Sequence, residues 1–506
     1  MKNRKEDSNM NLKSVLVGIE GLKAKGSLNL DISSIECDYR TVKQGSLFVA
    51  IKGYEYDGHT FIEKAIEKGA KAIIFEEGAN YKAFINNKDI TFIMAPNTRL
   101  ALSICSCNFF DNPSKKMKVI GITGTKGKTT TSFMLKRIFE KAGKKVGLIG
   151  TIAVYIGDNK VKNSDRTTPE GNKLQEILAK MYELGVEIVI MEVSSQSLKL
   201  DRVAGIEFYA GIFTNLSEDH ISKTEHKDME EYLNCKVKLF DMCKYAIINA
   251  DNVYTYKVIE EIKNKCDVST YGIDNYCDLL AKDVTVTNTY ADFKVKLENR
   301  NERVKVSIPG RFSVYNSLAA IKVAELFNID KDTIKAALED VKVLGRSELV
   351  DNKLDLKIMI DYAHTPDSLE NILKTAKQYT TGNVICLFGC GGDRDKNKRH
   401  IMGEISGRLA DYTIITSDNP RTEKPEEIIE QIENGLKKTK GKYECIVDRK
   451  EAIAKAISME KKNDLLIIAG KGHEMYQEIE KEQLPFDERK IVKDIIQGLA
   501  DKNKKQ

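Results

Sequence analysis

The chain has no tryptophan, no apolar run approaching the length of a membrane span, and no CxxC pair among its ten cysteines. Spanning a bilayer takes about 20 apolar residues, and the charged opening MKNRKEDSNM has no apolar stretch behind it to act as a secretory signal. Both absences point to the cytoplasm. Only Cys105 and Cys107 stand close together, so the cysteines suit reduced, mostly buried apolar side chains rather than a disulfide framework or a zinc site. An excess of one charge sign is missing too. The 80 basic residues against 75 acidic ones leave a net +5, which gives no footprint for nucleic acid but suits a small anionic substrate. No short repeat or low-complexity tract is present, and only the tail DKNKKQ reads as disordered.

What is present is an alternation of short apolar runs and amphipathic stretches over 506 residues, a length that suggests about three domains. The first, residues 1–112, pairs runs such as SLFVAI and AIIF with helices such as HTFIEKAIEKG. The polar stretch DNPSKKM interrupts the pattern and marks a linker. The second domain, residues 113–344, opens on MKVIGITG and closes near VLGR; the third, residues 345–506, carries KIMIDYAH, NVICLFGCGG, YTIITSDN and LLIIAGKG. Each of these last runs ends in glycine or polar residues, the pattern of a parallel sheet with its chemistry at the carboxyl edge. The fold class is therefore α/β.

The stretch GITGTKGKTTT lies between an apolar strand and a helix in which Phe133, Leu135, Ile138 and Phe139 recur at helical spacing. Free backbone N–H groups and the helix dipole at such a turn attract phosphate. Gly124 and Gly127 let the backbone curl, Lys128 reaches toward β and γ phosphates, and the Thr129 hydroxyl is suited to Mg²⁺. The plain alternative, a glycine turn joining strand to helix, leaves Gly-Lys-Thr-Thr at a helix start unexplained. Yet the spacing is short by the usual rule: where a phosphate-binding loop has its first glycine, this chain has Ile122.

Other candidates follow. GVEIVIMEV is an apolar strand ending at Glu192, a good place for a carboxylate meeting magnesium, although strand-end glutamates are common. FTNLSEDHIS supplies His220; a lone histidine is more often structural than a ligand. In DMEEYLNCKVKLFDMC, at ~100° per residue, Lys236 falls within about 60° of Leu233, Leu239 and Phe240, whereas Lys238 points about 200° away. An ammonium in an apolar stripe is costly unless paired or chemically changed, and a lysine snorkelling from the stripe's edge is the bland reading.

The loop GTKGKTT resembles that of the Mur ligases and their folylpolyglutamate synthetase relatives, ATP-dependent amide-forming enzymes with the shortened spacing. The resemblance runs through nearly the whole chain and implies a three-domain architecture with a central ATPase domain and a Rossmann-like C-terminal domain. It implies ATP binding by Gly124, Thr125, Lys126, Gly127, Lys128, Thr129 and Thr130, with Asn316 of VYNSLAA and Asp361 of DYAHTP lining the nucleotide. Lys126 stands where the family often has asparagine. Mg²⁺ is implied at Thr129, Glu192, His220 and Lys236, the last as a carbamate matching the family's AxKxxLF helix; Lys128, Lys236 and His220 are then the catalytic set. CDYRTVKQGSLFVAIKGYEYDGHTF is similar to the family's UDP-sugar domain, with Tyr39 where serine is usual. Thr167, Thr168, Ser194 and Arg202 match contacts to a UDP-N-acetylmuramoyl dipeptide, while Gln196 and Leu200 depart from the common pattern.

GCGGDRDKNKR, SDNPRTE and GKGHEMYQ match the amino-acid domain of the diaminopimelate-adding branch. Arg394, Asp418, Asn419, Pro420, Arg421, Gly470 and Glu474 are the implied pocket for meso-diaminopimelate, whose distal amino-carboxylate end calls for an arginine fork and a glutamate. The implied chemistry is acyl-phosphate formation followed by amide formation. The oligomeric state is open, with a monomer as the working expectation. A lysine-adding or altered-specificity relative remains an alternative, as does, from a different class, a nucleotide-dependent switch without ligation.

Overall fold

Strands buried on both faces read as continuous apolar runs, and helices must then cover both sides of the sheet they form. The computed structural model describes residues 9–54, 56–78, 87–218, 221, 225–352, 354 and 356–503. The chain divides into two compact units, Met1–Leu280 with Leu318–Ile334, and Ala281–Ser317 with Lys335–Gln506.

The first unit contains two main sheets. Near the N-terminus, Ile35–Glu36, Leu47–Val49, Ala72–Glu76 and Thr91–Ala95 run parallel, with Lys23–Lys25 antiparallel at the edge. After the break at Asp111 and Asn112, both in left-handed backbone conformation, the chain enters a larger sheet. There Lys118–Thr123 lies between Ile188–Glu192 and Phe208–Phe213, all parallel. The chain first steps out to Val146–Ile149, returns through Ile188–Glu192, then crosses to Phe208–Phe213 on the other side. A reversal of this kind opens a crevice at the carboxyl ends of the strands, where α/β proteins bind ligands.

The second unit holds an antiparallel sheet of Lys282–Val286, Ala291–Leu297 and Arg300–Val306, and a six-stranded sheet. In the latter, Ile358–Asp361, Leu465–Ala469, Val384–Phe388, Tyr412–Ile415 and Lys442–Cys445 are parallel and Glu348–Leu349 is antiparallel. The four apolar runs with polar endings are four of these strands, so their loops gather along one edge.

Two sequence expectations shift. The helix Lys128–Lys141 buries Thr129 to Ser132 and Lys136 as well as its apolar residues, because its polar face is covered by protein and Lys136 is paired with Glu140 at 2.7 Å. The last helix, Glu488–Asn503, runs through the first three residues of the stretch DKNKKQ, which composition alone reads as disordered, and the final three lie outside the described residues. All ten cysteines are free, and burial pushes the Cys386 thiol up to about 12. Among the described residues no helix is long and apolar enough to cross a membrane.

Candidate active site

The turn after Lys118–Thr123 is shaped by its neighbours as much as by its glycines. Gly124 has φ +143°, and a Cβ there would lie 1.9 Å from Thr214 Oγ1, so no side chain fits. The Thr214 hydroxyl donates to Lys126 O at 2.7 Å, and Asn215 accepts from Thr125 N and, through Oδ1, from Lys126 N, each at 2.9 Å. Gly127, also left-handed, caps the helix beginning at Lys128. The Lys128 ammonium folds back onto the loop, donating to Gly124 O at 2.8 Å and Thr125 O at 3.1 Å. Thr130, at the helix start, is buried.

The carboxylate of Glu192, at the end of the adjacent strand, is fully buried. Its Oε2 accepts from the hydroxyls of Thr129 at 3.0 Å and Thr151 at 2.9 Å, and its Oε1 accepts from Thr151 N at 3.1 Å. These are neutral donors, and no described cation pairs with it. A hard-oxygen set of Thr129 and Glu192 beside a phosphate loop, with a buried carboxylate that has no counter-cation among the described residues, fits Mg²⁺. From the same strand end the network continues outward. Thr151 Oγ1 lies 3.1 Å from Thr167 Oγ1; the Thr168 hydroxyl donates to Glu192 O at 2.9 Å and accepts from Ser194 N at 3.1 Å. Arg202, 9 % exposed at its side chain, donates to Thr168 O and pairs with Glu170 at 2.9 Å. Desolvation lowers its guanidinium below the ordinary value, with Glu170 opposing. Of the residues departing from the family pattern, Gln196 donates to Tyr54 Oη at 3.0 Å and Leu200 ends the short helix Ser195–Lys199.

The helix Met229–Val237 buries Lys236 and exposes Asn234 and Lys238, then tightens into a 3-10 turn over Lys238–Met242. Lys236 is 1 % exposed; its Nζ donates to Gly124 O at 2.9 Å and stands 4.4 Å from the Tyr232 ring centroid. Lysine and nucleotide loop therefore share the Gly124 carbonyl. Tyr232 Oη lies 3.2 Å from Thr125 Oγ1, and its ring packs on His226, whose Nε2 is 2.8 Å from Ser195 Oγ. Burial lowers the His226 imidazole below its ordinary value. His220 lies outside the described residues. In the N-terminal sheet region, Tyr39 is half-buried and stacks on Phe61 with ring centroids 4.8 Å apart.

In the second unit the sequence candidates converge from three strand ends. Asn419 Nδ2 donates to Glu474 Oε2 at 2.8 Å. Gly470 has φ +111°, and a Cβ there would sit 2.7 Å from Asp418 Oδ2, so glycine lets the two strand-end loops meet. Arg421, left-handed at φ +51°, donates through Nε to Glu478 Oε2 at 2.8 Å and through an Nη atom to Gly392 O at 2.7 Å. Pro420 precedes it and is buried; Arg394 is exposed in the neighbouring loop. Burial raises the Glu474 carboxyl above the ordinary carboxylate range, with Lys471 opposing. Asp361 ends its strand with Oδ2 accepting from Ser347 N at 2.7 Å; desolvation raises its carboxyl and Arg346 opposes. Asn316 is buried on the helix Arg311–Leu326.

Several supporting residues were not foreseen. Arg449 and Glu488, both fully buried, pair at 2.7 Å, and Arg449 also donates to Ser417 O and Ala469 O, tying together the strand ends that carry Asn419 and Gly470. Arg399, buried, holds both oxygens of Glu423 at 2.8 and 2.9 Å and reaches Gly391 O. Arg399 brings the Glu423 carboxyl down to about 2. Arg346, known from the sequence only as part of a boundary, stacks 4.5 Å from the Tyr362 ring centroid. Each pairing joins residues far apart in the chain, so no local pattern announces it; an arginine in an otherwise apolar helix face was the available signal.

Comparison with known proteins gives a consistent result. Family models match as the Mur ligase family, catalytic domain, over residues 31–104; the Mur ligase middle domain over 122–324; and the Mur ligase, glutamate ligase domain, over 345–472. The chain is 48 % identical over 494 residues to a UDP-N-acetylmuramoyl-L-alanyl-D-glutamate--2,6-diaminopimelate ligase of Clostridium perfringens, covering 97 % of this chain and 100 % of the relative. A ligase of the same name from Clostridium tetani is 45 % identical, with coverage of 97 % and 100 %. A solved structure of a UDP-N-acetylmuramoyl-L-alanyl-D-glutamate--2,6-diaminopimelate ligase superposes with a TM-score of 0.71 at 28 % identity, covering 97 % of this chain and 99 % of that one.

Proposed function

The chain belongs to the Mur ligase family, and from that premise we propose that it adds meso-2,6-diaminopimelate to UDP-N-acetylmuramoyl-L-alanyl-D-glutamate, at the expense of ATP, in making the peptidoglycan precursor. The observation that carries the reading is the pairing of two sites of different chemistry. One is a phosphate loop whose lysine bonds the turn and whose next residue, Thr129, bonds a buried carboxylate; the other is a pocket holding both a carboxylate and an arginine for a zwitterionic end. We take the domain limits as 1–112, 113–344 and 345–506, and the cytoplasm as the site of action.

The substrate carboxylate attacks the γ-phosphate of ATP, forming an acyl phosphate and ADP; the amine of diaminopimelate then displaces phosphate to form the amide. Lys128 exchanges its two loop carbonyls for phosphate oxygens and stabilises charge developing in transfer. Thr129 and Glu192, with Lys236 as a carbamate and His220, would hold Mg²⁺, which when bound neutralises phosphate charge. Asn316 and Asp361 line the nucleotide. Thr167, Thr168, Ser194 and Arg202 grip the muramoyl dipeptide, and Tyr39, stacked on Phe61, meets the uridine end. Arg394 and Arg421 take the distal carboxylate, and Glu474 takes the ammonium.

Phosphate release that requires both the UDP-muramoyl dipeptide and diaminopimelate is the expected result, with lysine a poor substitute. Release independent of both overturns the ligase reading, and equal use of lysine overturns the amino-acid assignment. For Lys236, mass spectrometry under CO₂-preserving conditions should show the carbamate, and Lys236→Ala should lose activity and regain part of it with short carboxylates. Full activity in the unsupplemented variant rejects the role.

A further inference from the structure

Lys471 has no part in the reaction as described above, yet it is fully buried beside the amino-acid pocket. Its Nζ donates to Asn419 Oδ1 at 2.8 Å and to Glu474 Oε2 at 3.2 Å, and stands 5.6 Å from the Tyr476 ring centroid. Asn419 Oδ1 also accepts from Glu478 N at 3.0 Å. Two donors on one side settle which way the amide faces, since the flipped amide would set its own N–H groups against an ammonium and a backbone N–H. The Asn419 NH₂ is thereby aimed at Glu474 Oε2. With Oε2 engaged by both Asn419 and Lys471, Glu474 Oε1 has no hydrogen-bond partner among the described residues and is the atom left to accept from an incoming ammonium.

We propose that Lys471 is a positioning residue for amino-acid selection: its buried ammonium sets the orientation of Asn419 and of the Glu474 carboxylate, so that one carboxylate oxygen is presented to the amino group of the substrate. The inference rests on the pocket assignment of the preceding section. A neutral side chain cannot do this, because burial and the nearby Asp418 carboxylate both push the Glu474 carboxyl up and would then stand without the opposing ammonium. Lys471 is the cation opposing them, and its charge also acts to lower the buried Glu488 carboxyl that pairs with Arg449.

The test compares Lys471→Met and Lys471→Arg with the unmodified full chain, following phosphate release with diaminopimelate varied. Lys471→Met should raise the KM for diaminopimelate by about tenfold or more, the loss given by an unpaired polar group in a specificity pocket, with KM for ATP and for the UDP-muramoyl dipeptide unchanged. Loss of the cation raises the Glu474 carboxyl further, so the acid limb of kcat/KM for diaminopimelate should move to higher pH. Lys471→Arg keeps the charge and should leave that limb in place while raising KM. A folded Lys471→Met with unchanged KM and unchanged acid limb overturns the proposal. If Lys471→Met does not fold, the arginine variant decides: KM equal to that of the unmodified chain overturns it. An unmodified chain that releases no phosphate in response to diaminopimelate overturns the pocket assignment itself, a result separate from either variant.

Discussion

The nucleotide loop and the amino-acid pocket solve opposite electrostatic problems. Around the loop, the turn is held by neutral hydroxyls, amides and carbonyls, Lys128 reaches the carbonyls of Gly124 and Thr125, and the buried Glu192 carboxylate accepts from the hydroxyls of Thr129 and Thr151. In the pocket, charges are matched within the protein: Arg421 with Glu478, Lys471 with Glu474, Arg399 with Glu423, Arg449 with Glu488. The difference follows from the ligands. A nucleotide brings a large charge and needs partners that can change hands, whereas an amino acid with both signs at each end needs a lattice of fixed opposite charges that specifies orientation.

The contrast breaks most visibly at Lys128. Lys128→Met should lower phosphate release by about 10³-fold, roughly 4 kcal/mol of transition-state stabilisation, in steady-state assays on a variant shown to be folded by circular dichroism. A loss under about tenfold would mean the exchange of carbonyls for phosphate is not its task. Next in size, Arg421→Ala should cut kcat/KM for diaminopimelate by about 100-fold, or ~2.7 kcal/mol, while slow use of lysine changes by less than about threefold; equal losses for both amino acids would mean a general structural role. Third, the matched charges of the pocket should show in acid. Glu423 is held at about 2 against an ordinary 4.5, so its pairing with Arg399 stabilises the fold fully above the ordinary value and is lost as pH falls toward about 2. Glu423→Gln should lower the unfolding midpoint at pH 7 and flatten its decline between those limits; a decline as steep as that of the unmodified chain counts against the pairing. The smallest effect is expected at Lys126. Its backbone, not its side chain, is what Thr214 and Asn215 hold, so Lys126→Asn should alter KM for ATP by less than about threefold, ~0.7 kcal/mol.

The loop was legible because its determinants are contiguous: a strand, glycines that adopt left-handed backbone, and Lys-Thr-Thr opening a helix. Lys236 was legible for a related reason, since helical phase over a few residues decides which of two nearby lysines turns inward. The carboxyl-edge location of Asp361, Asn419 and Gly470 could also be read, because apolar runs ending in polar residues mark the mouth of a parallel sheet. The hydroxyl relay from Thr129 through Glu192 and Thr151 to Thr167 could not, as it brings together four separate segments by parallel pairing of non-consecutive strands.

The sequence by itself determined the α/β class, the phosphate-type glycine loop and the inward lysine, which rest on local periodicity or contiguous residue chemistry, while the diaminopimelate-type motifs were read through their resemblance to the family. Only the tertiary structure decided how the charges pair. Arg449 finds Glu488 from 39 residues away, and Lys471 is buried between Asn419 and Glu474, because the cost of an unpaired buried charge is set by whatever the fold brings beside it, not by its neighbours in the chain.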